Sequence, residues 1–186
     1  MIDKNLLKKY NNPVPRYTSY PPANFFSEDF TQEEFREALR ESNEHVPQNV
    51  SFYFHIPFCK RMCYFCGCNS YGIKNDQIIG EYMQALKKEL DTMVSHMDTS
   101  RPVSQIHYGG GTPNAIPVNY LQEINEILFS TFPTIQHPEI AIECNPAYMT
   151  YEQMDGLKKA GFKRFSLGIQ DFDPEVLKAV NREAPS

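Results

Sequence analysis

Cys59, Cys63 and Cys66 fall within one short run, His-Ile-Pro-Phe-Cys-Lys-Arg-Met-Cys-Tyr-Phe-Cys-Gly-Cys. Three thiolates at this spacing can hold three corners of an iron–sulfur cubane, whose full complement is four cysteines, so that one iron stays open to a small molecule. Open coordination positions are how metal sites do chemistry, whereas closed sites are structural. Cys68 is separated from Cys66 by a single residue, which makes it a poor candidate for a separate corner. A structural zinc site built from Cys59, Cys63, Cys66 and Cys68 is the alternative, although zinc modules usually draw on two well-separated ligand pairs.

Other residues could serve the same site. Gly109-Gly110-Gly111-Thr112-Pro113 would let the backbone approach a ligand closely, since no Cβ stands in the way. The run lacks the Gly-Lys-Ser/Thr ending of a phosphate loop. An amino acid, with its ammonium and carboxylate, suits it better; a tight turn is the plainer reading. Glu143 is a lone acid after Ile140, Ala141 and Ile142. It is either a solvent-facing strand end or a carboxylate for ribose hydroxyls or an ammonium group. Tyr53 and His55 share one strand face by alternation, and Phe52, Phe54 and Ile56 share the other. Phe65, between two of the cysteines, suits stacking on adenine or shielding a cluster. Arg182 is an anion-binding group or a surface charge, and Cys144 reads as a small buried hydrophobe.

The elements that must position these residues are legible in the pattern. Asn11 to Phe26 is dense in proline and aromatics and is expected to be an extended arm packed on the main body. Thr31 with Glu34 makes a capping box for a helix from about Gln32 to Ser42. Four strands are then expected at Val50–Ile56, Ser104–Tyr108, Glu139–Glu143 and Arg164–Ile169. They alternate with helices over Gln77–His96, Val118–Phe132 and Tyr151–Ala160, and a fourth helix starts at Pro174. Gly161 stands where a left-handed helix terminator belongs. Repeated β-α units predict a parallel sheet with right-handed crossovers, bare loops after the strands, and a site at the strands' C-terminal ends. The cysteines, the glycines, Glu143 and Gln170-Asp171 all fall there.

The chain has 186 residues, 41% of them hydrophobic, and a net charge of -5 with both signs interspersed. That composition is globular and gives no reason to expect a nucleic-acid or membrane partner. There is no apolar leader at the N-terminus and no stretch of transmembrane length. Clustered cysteines argue against a secreted disulfide framework, so a cytoplasmic location is expected.

Cys-x-x-x-Cys-x-x-Cys after the first strand, with Gly-Gly-Gly-Thr-Pro after the second, resembles the radical S-adenosylmethionine superfamily. Five longer runs resemble one branch of it, the oxygen-independent coproporphyrinogen III oxidases. They are Pro15-Arg16-Tyr17-Thr18-Ser19-Tyr20-Pro21, Tyr53-x-His55-Ile56-Pro57-Phe58-Cys59, Cys66-Gly67-Cys68-Asn69, Gly168-Ile169-Gln170-Asp171-Phe172 and Val180-Asn181-Arg182. The resemblance implies an α/β fold: a partial (β/α) barrel, about four β-α units over 50–186, preceded by an arm and helix over 1–49. It implies a [4Fe–4S] cluster on Cys59, Cys63 and Cys66, with Cys68 not a ligand, and two S-adenosylmethionine molecules. Tyr53, Gly110 and Glu143 would contact the one on the cluster; Phe65, Gly111, Thr112, Gln170 and Arg182 would contact the second. A 5′-deoxyadenosyl radical would abstract hydrogen from the propionates of a tetrapyrrole substrate, which then lose CO₂ to become vinyl groups. An electron donor is implied, and a monomer for the full-length form. The family's barrel continues beyond a fourth unit, so the chain is expected to be a truncated piece, inert toward coproporphyrinogen III. A related haem chaperone or methyltransferase is the runner-up enzyme, and a zinc-stabilised binding module the non-enzyme alternative.

Overall fold

A computed structural model describes residues 3–12, 22 and 25–184. It forms two compact units, Met1–Phe35 and Arg36–Ser186. The first carries a short helix that the sequence reading does not anticipate, α1 (Lys4–Tyr10), capped by Asp3 Oδ1 accepting from the Asn5 amide at 2.8 Å. Pro13, Pro15, Tyr17, Tyr20 and Pro21 of the expected arm lie outside the described residues. Phe25 and Phe26 are 71% and 66% exposed. The capping box forms ahead of α2 (Gln32–Glu41): Glu34 Oε2 accepts from the Thr31 amide at 2.6 Å, and Thr31 Oγ1 accepts from the Glu34 amide at 3.2 Å.

The second unit is built on β1 (Val50–Ile56), β4 (Val103–Gly110), β5 (Thr134–Cys144) and β6 (Arg164–Leu167), paired in that order and parallel throughout. The crossovers are α3 (Asp76–Val94), α4 (Val118–Thr131) and α5 (Tyr151–Lys159); α6 (Pro174–Ala179) follows β6. This is the expected α/β partial barrel. A second ladder, β2 (Phe58–Cys59) with β3 (Tyr71–Gly72), closes the cysteine loop at its base and is too short to leave a periodic signal in sequence. β6 is shorter than expected: the Ile169 amide turns back to the Leu167 carbonyl at 3.1 Å, and Gln170 then takes a left-handed φ of 68°.

The two faces of the sheet differ in chemistry. Val50, Phe52, Phe54, Ile56, Ile106, Ile140 and Ile142 form one core with Met83 and Leu90 of α3, Leu121, Ile124 and Leu128 of α4, and Leu157 of α5. Tyr108 joins this core with no exposed area, and burial pushes its hydroxyl well above the ordinary tyrosine range. Its hydroxyl donates to Asn125 Oδ1 at 2.7 Å, and Asn125 Nδ2 donates to the Ala160 carbonyl at 2.8 Å. The opposite face is polar: Gln105 donates to Glu139 at 2.6 Å, Arg164 reaches Glu139 at 2.7 Å, and His107 faces Glu143. Among the described residues no helix is long and apolar enough to cross a membrane.

The loops after the strands are not bare, contrary to expectation. Pro113–Ala115 and Pro146–Tyr148 each wind a 3₁₀ turn. A buried amide network sets them: Asn114 Nδ2 donates to the Asn145 carbonyl at 3.0 Å, and the Asn145 amide donates to Asn114 Oδ1 at 2.8 Å. Gln153 Nε2 of α5 donates to the Asn114 carbonyl at 2.8 Å.

Because Asn125 has no other partner for its carbonyl oxygen in this network, Tyr108→Phe is expected to destabilise the fold by about 1–3 kcal/mol. Urea unfolding followed by circular dichroism reads the change as a lower midpoint at unchanged slope.

Candidate functional site

The cysteine loop is anchored before it is functional. The Tyr71 amide donates to the Pro57 carbonyl at 2.7 Å and the Ile73 amide to the Cys59 carbonyl at 2.9 Å, so both ends of the loop start from β1 and its extension. From below, the end of β4 passes in contact with it. A Cβ on Gly111 would meet the Phe58 carbonyl oxygen at 2.9 Å and Cys59 Sγ at 3.0 Å, and one on Gly110, at φ 111°, would meet the His55 ring at 2.9 Å. Glycine is required at both places by space, and at Gly110 by conformation too. The Gly111 and Thr112 amides are spent on the Ile56 and Phe58 carbonyls at 2.9 and 2.8 Å, so these two N–H groups are not the ones that would hold a ligand.

A cleft of about 250 Å³ opens at this rim. Cys59, Cys63, Cys66, Phe65, Gly110, Gly111, Thr112, Glu143, Gln170 and Arg182 all line it. Tyr53 lies outside its lining, one layer down on the polar sheet face, stacked on His107 with centroids 5.9 Å apart and planes at 15°. A larger groove of about 440 Å³ runs beside β1 and contains no cysteine.

Each of the three cysteine sulfurs has its own polar neighbour. Thr112 Oγ1 is 3.3 Å from Cys59 Sγ, Arg182 Nη1 is 3.6 Å from Cys63 Sγ, and the Cys68 amide is 3.5 Å from Cys66 Sγ. Outer partners of this kind orient the ligands of a metal site and tune the metal they hold. Cys68 differs, since its thiol is pushed up first by its hydrogen bond with Cys66 and then by burial. Cys144 is buried, and burial with the neighbouring Glu143 raises its thiol to about 12, as suits an inert core residue. Among the described residues no three His, Cys, Asp or Glu side chains gather tightly enough for a single metal ion. A cubane asks for less convergence, because its thiolates bind separate irons. Three spread sulfurs on one loop, beside a glycine floor, fit that demand.

The rest of the rim is polar. Glu143 Oε1 is 3.3 Å from His107 Nε2. Tyr53 OH is 3.2 Å from His55 Nδ1, and His55 Nε2 is 2.8 Å from the Asn69 carbonyl. Burial, then Glu143 and Cys68, raise the Tyr53 hydroxyl. A Cβ on Gly168 would meet Gln170 Nε2 at 3.1 Å and Arg182 at 3.2 Å, so these two side chains converge over it, and Arg182 donates to the Gly168 carbonyl. Phe65 is 53% exposed, its ring available to a planar ligand. His107 escaped the sequence reading, although its position two residues before the glycines places it on the face shared with Tyr53.

Proteins with known names resemble the chain over nearly its whole length. Oxygen-independent coproporphyrinogen III oxidase of Synechocystis sp. is 40% identical over 180 residues, which are 97% of this chain and 38% of the relative. The protein of that name from Helicobacter pylori strain J99 is 41% identical over 186 residues, 99% of this chain and 41% of the relative. Among solved structures, the coproporphyrinogen III oxidase HemN from Escherichia coli, described as a radical SAM enzyme, superposes with a TM-score of 0.82 at 37% identity, over 97% of this chain and 39% of that one. The chain thus spans about two fifths of the length of these relatives. Residues 53–186, from the first strand of the barrel onward, match the Radical SAM superfamily. With the family matched over that span, the chain belongs to the radical SAM superfamily.

Proposed function

We propose that the chain provides the cluster and S-adenosylmethionine site of an oxygen-independent coproporphyrinogen III oxidase. Its substrate class is then a tetrapyrrole bearing propionates, converted to vinyl groups by oxidative decarboxylation, and a low-potential donor supplies single electrons. The observation that carries the reading is the pair of long matches to proteins of that name, each covering almost all of this chain.

Cys59, Cys63 and Cys66 would hold the [4Fe–4S] cluster, leaving one iron for S-adenosylmethionine. When bound, these groups supply the one-electron chemistry that removes a hydrogen atom from a propionate side chain. The chain's own residues bind and orient. Glu143, on the strand end beside His107, offers a carboxylate to a ribose or an ammonium group, and Gly109 leaves room for that carboxylate, which a Cβ there would meet at 3.1 Å. Phe65 offers a ring face to an adenine. Two S-adenosylmethionine molecules are accommodated in this reading: Tyr53, Gly110 and Glu143 serve the one at the cluster. Phe65, Gly111, Thr112, Gln170 and Arg182 serve the second. The left-handed backbone of Gln170 supports a positioned role for its side chain, since residues other than glycine adopt that conformation at a cost.

The reading is tested with a chimera in which this chain replaces the matching segment of the Escherichia coli relative. Assayed anaerobically with coproporphyrinogen III, it is expected to form 5′-deoxyadenosine and vinyl product together. A chimera that folds, holds its cluster and forms 5′-deoxyadenosine without vinyl product would assign the segment to another radical reaction.

Three substitutions in the chain itself follow. Cys63→Ser is expected to abolish cluster assembly on anaerobic reconstitution with iron and sulfide, whereas Cys68→Ser retains about four irons per chain. Gly111→Ala, which leaves every cysteine in place, is expected to cut iron content severalfold because its Cβ would press on Cys59. Iron and sulfide assays with the visible absorption of the cluster read all three.

A further inference from the structure

In the signature Val180-Asn181-Arg182, the middle residue has no part in the reading above. Beyond α6 the chain turns back onto the cysteine loop. The Arg182 amide donates to the Leu177 carbonyl at 2.8 Å, and Asn181 takes a left-handed φ of 56°. Asparagine enters that region more readily than other side-chain-bearing residues. The turn delivers consecutive contacts to one short stretch of the loop. The Tyr64 amide donates to the Val180 carbonyl at 3.0 Å, and Asn181 Nδ2 donates to the Met62 carbonyl at 2.8 Å. Arg182 Nη1 reaches Cys63 Sγ at 3.6 Å, and Glu183 pairs with Arg61 at 3.4 Å. Both residues flanking the middle cysteine are therefore held by chain lying more than a hundred residues downstream.

We propose that Asn181 is a positioning residue for the cluster. Its amide holds the Met62 carbonyl, and its left-handed backbone aims Arg182 at the Cys63 sulfur. The middle thiolate is thereby held at its corner and given a cationic N–H donor. Hydrogen bonds to cluster sulfurs raise the reduction potential, and outer partners of this kind also tighten metal binding. The inference rests on the cluster assignment to Cys59, Cys63 and Cys66.

The test uses the 186-residue chain, reconstituted anaerobically as wild type, Asn181→Gly and Asn181→Asp. Glycine keeps the left-handed turn and removes the amide; aspartate tolerates the turn and sets an acceptor against the Met62 carbonyl. Circular dichroism and a thermal melt establish that each is folded. Iron release to a chelator and the midpoint potential of the cluster, followed by electron paramagnetic resonance, are the readouts. The glycine variant is expected to load fully, to release iron about three- to tenfold faster, and to show a lower midpoint. The aspartate variant moves further the same way. A purely architectural role would lower the melting temperature while leaving release rate and midpoint at wild-type values, and that result overturns the proposal. If the wild-type chain takes up no cluster, the ligand assignment itself falls, an outcome separable from wild-type behaviour in loaded variants.

Discussion

Where β4 ends, Gly111 lies so close beneath Phe58 and Cys59 that not even a methyl group fits between them. The rest of the site depends on this approach. It lets the Gly111 and Thr112 amides reach the carbonyls of Ile56 and Phe58, extending strand-like pairing past the end of β1. It also brings the Thr112 hydroxyl to the Cys59 sulfur. With one end of the cysteine loop pinned to β4 and its base closed by the β2–β3 ladder, the intervening residues can turn their sulfurs toward a common cleft. A loop of this kind has no core of its own, and its precision is borrowed from the sheet below.

The sheet divides its labour by face. One face and three helices bury the apolar residues that stabilise the unit, with Tyr108 and Asn125 satisfied inside it. The other face is left polar, and its upper layer is Tyr53, His107 and Glu143. The interior of a closed barrel is commonly packed with branched apolar side chains. Here the polar face keeps the space above it open to a polar ligand. The 3₁₀ turns after β4 and β5, locked through Asn114, Asn145 and Gln153, hold the glycine end and the Glu143 end in fixed relation. The chain after α6 adds a third anchor from the far side of the loop.

Local pattern was enough for much of this. Local pattern located the principal strands and helices of the second unit, because each buries one face and so repeats at 2.0 or 3.6 residues; the largest miss is β5, which begins at Thr134, five residues before the expected Glu139. The capping box at Thr31 and Glu34 and the terminator at Gly161 were legible for a similar reason, since short-range hydrogen bonding and backbone sterics involve only residues a few positions apart. The three-cysteine spacing raised the expectation of a cluster with an open iron by donor chemistry, beside a zinc alternative. The two-residue ladder, the 3₁₀ turns and α1 were not legible, being too short or too exposed to leave an apolar repeat.

What only the tertiary structure decided is which distant residues meet. Sequence placed the glycines after one strand and the cysteines after another. It could not say that Gly111 is demanded by contact with Cys59, rather than by a ligand at its amide. Nor could it pair His107 with Glu143 across neighbouring strands, set Gln170 and Arg182 over Gly168, or bring Asn181 to Met62. Those contacts arise from strand register and loop packing, in which each position is fixed by many others far along the chain. Residue types and spacing therefore determined the chemistry this chain can do and the elements that carry it. The register of β1, β4, β5 and β6 decided how the parts converge, because side chains separated by tens of residues come within bonding distance only once the sheet has formed.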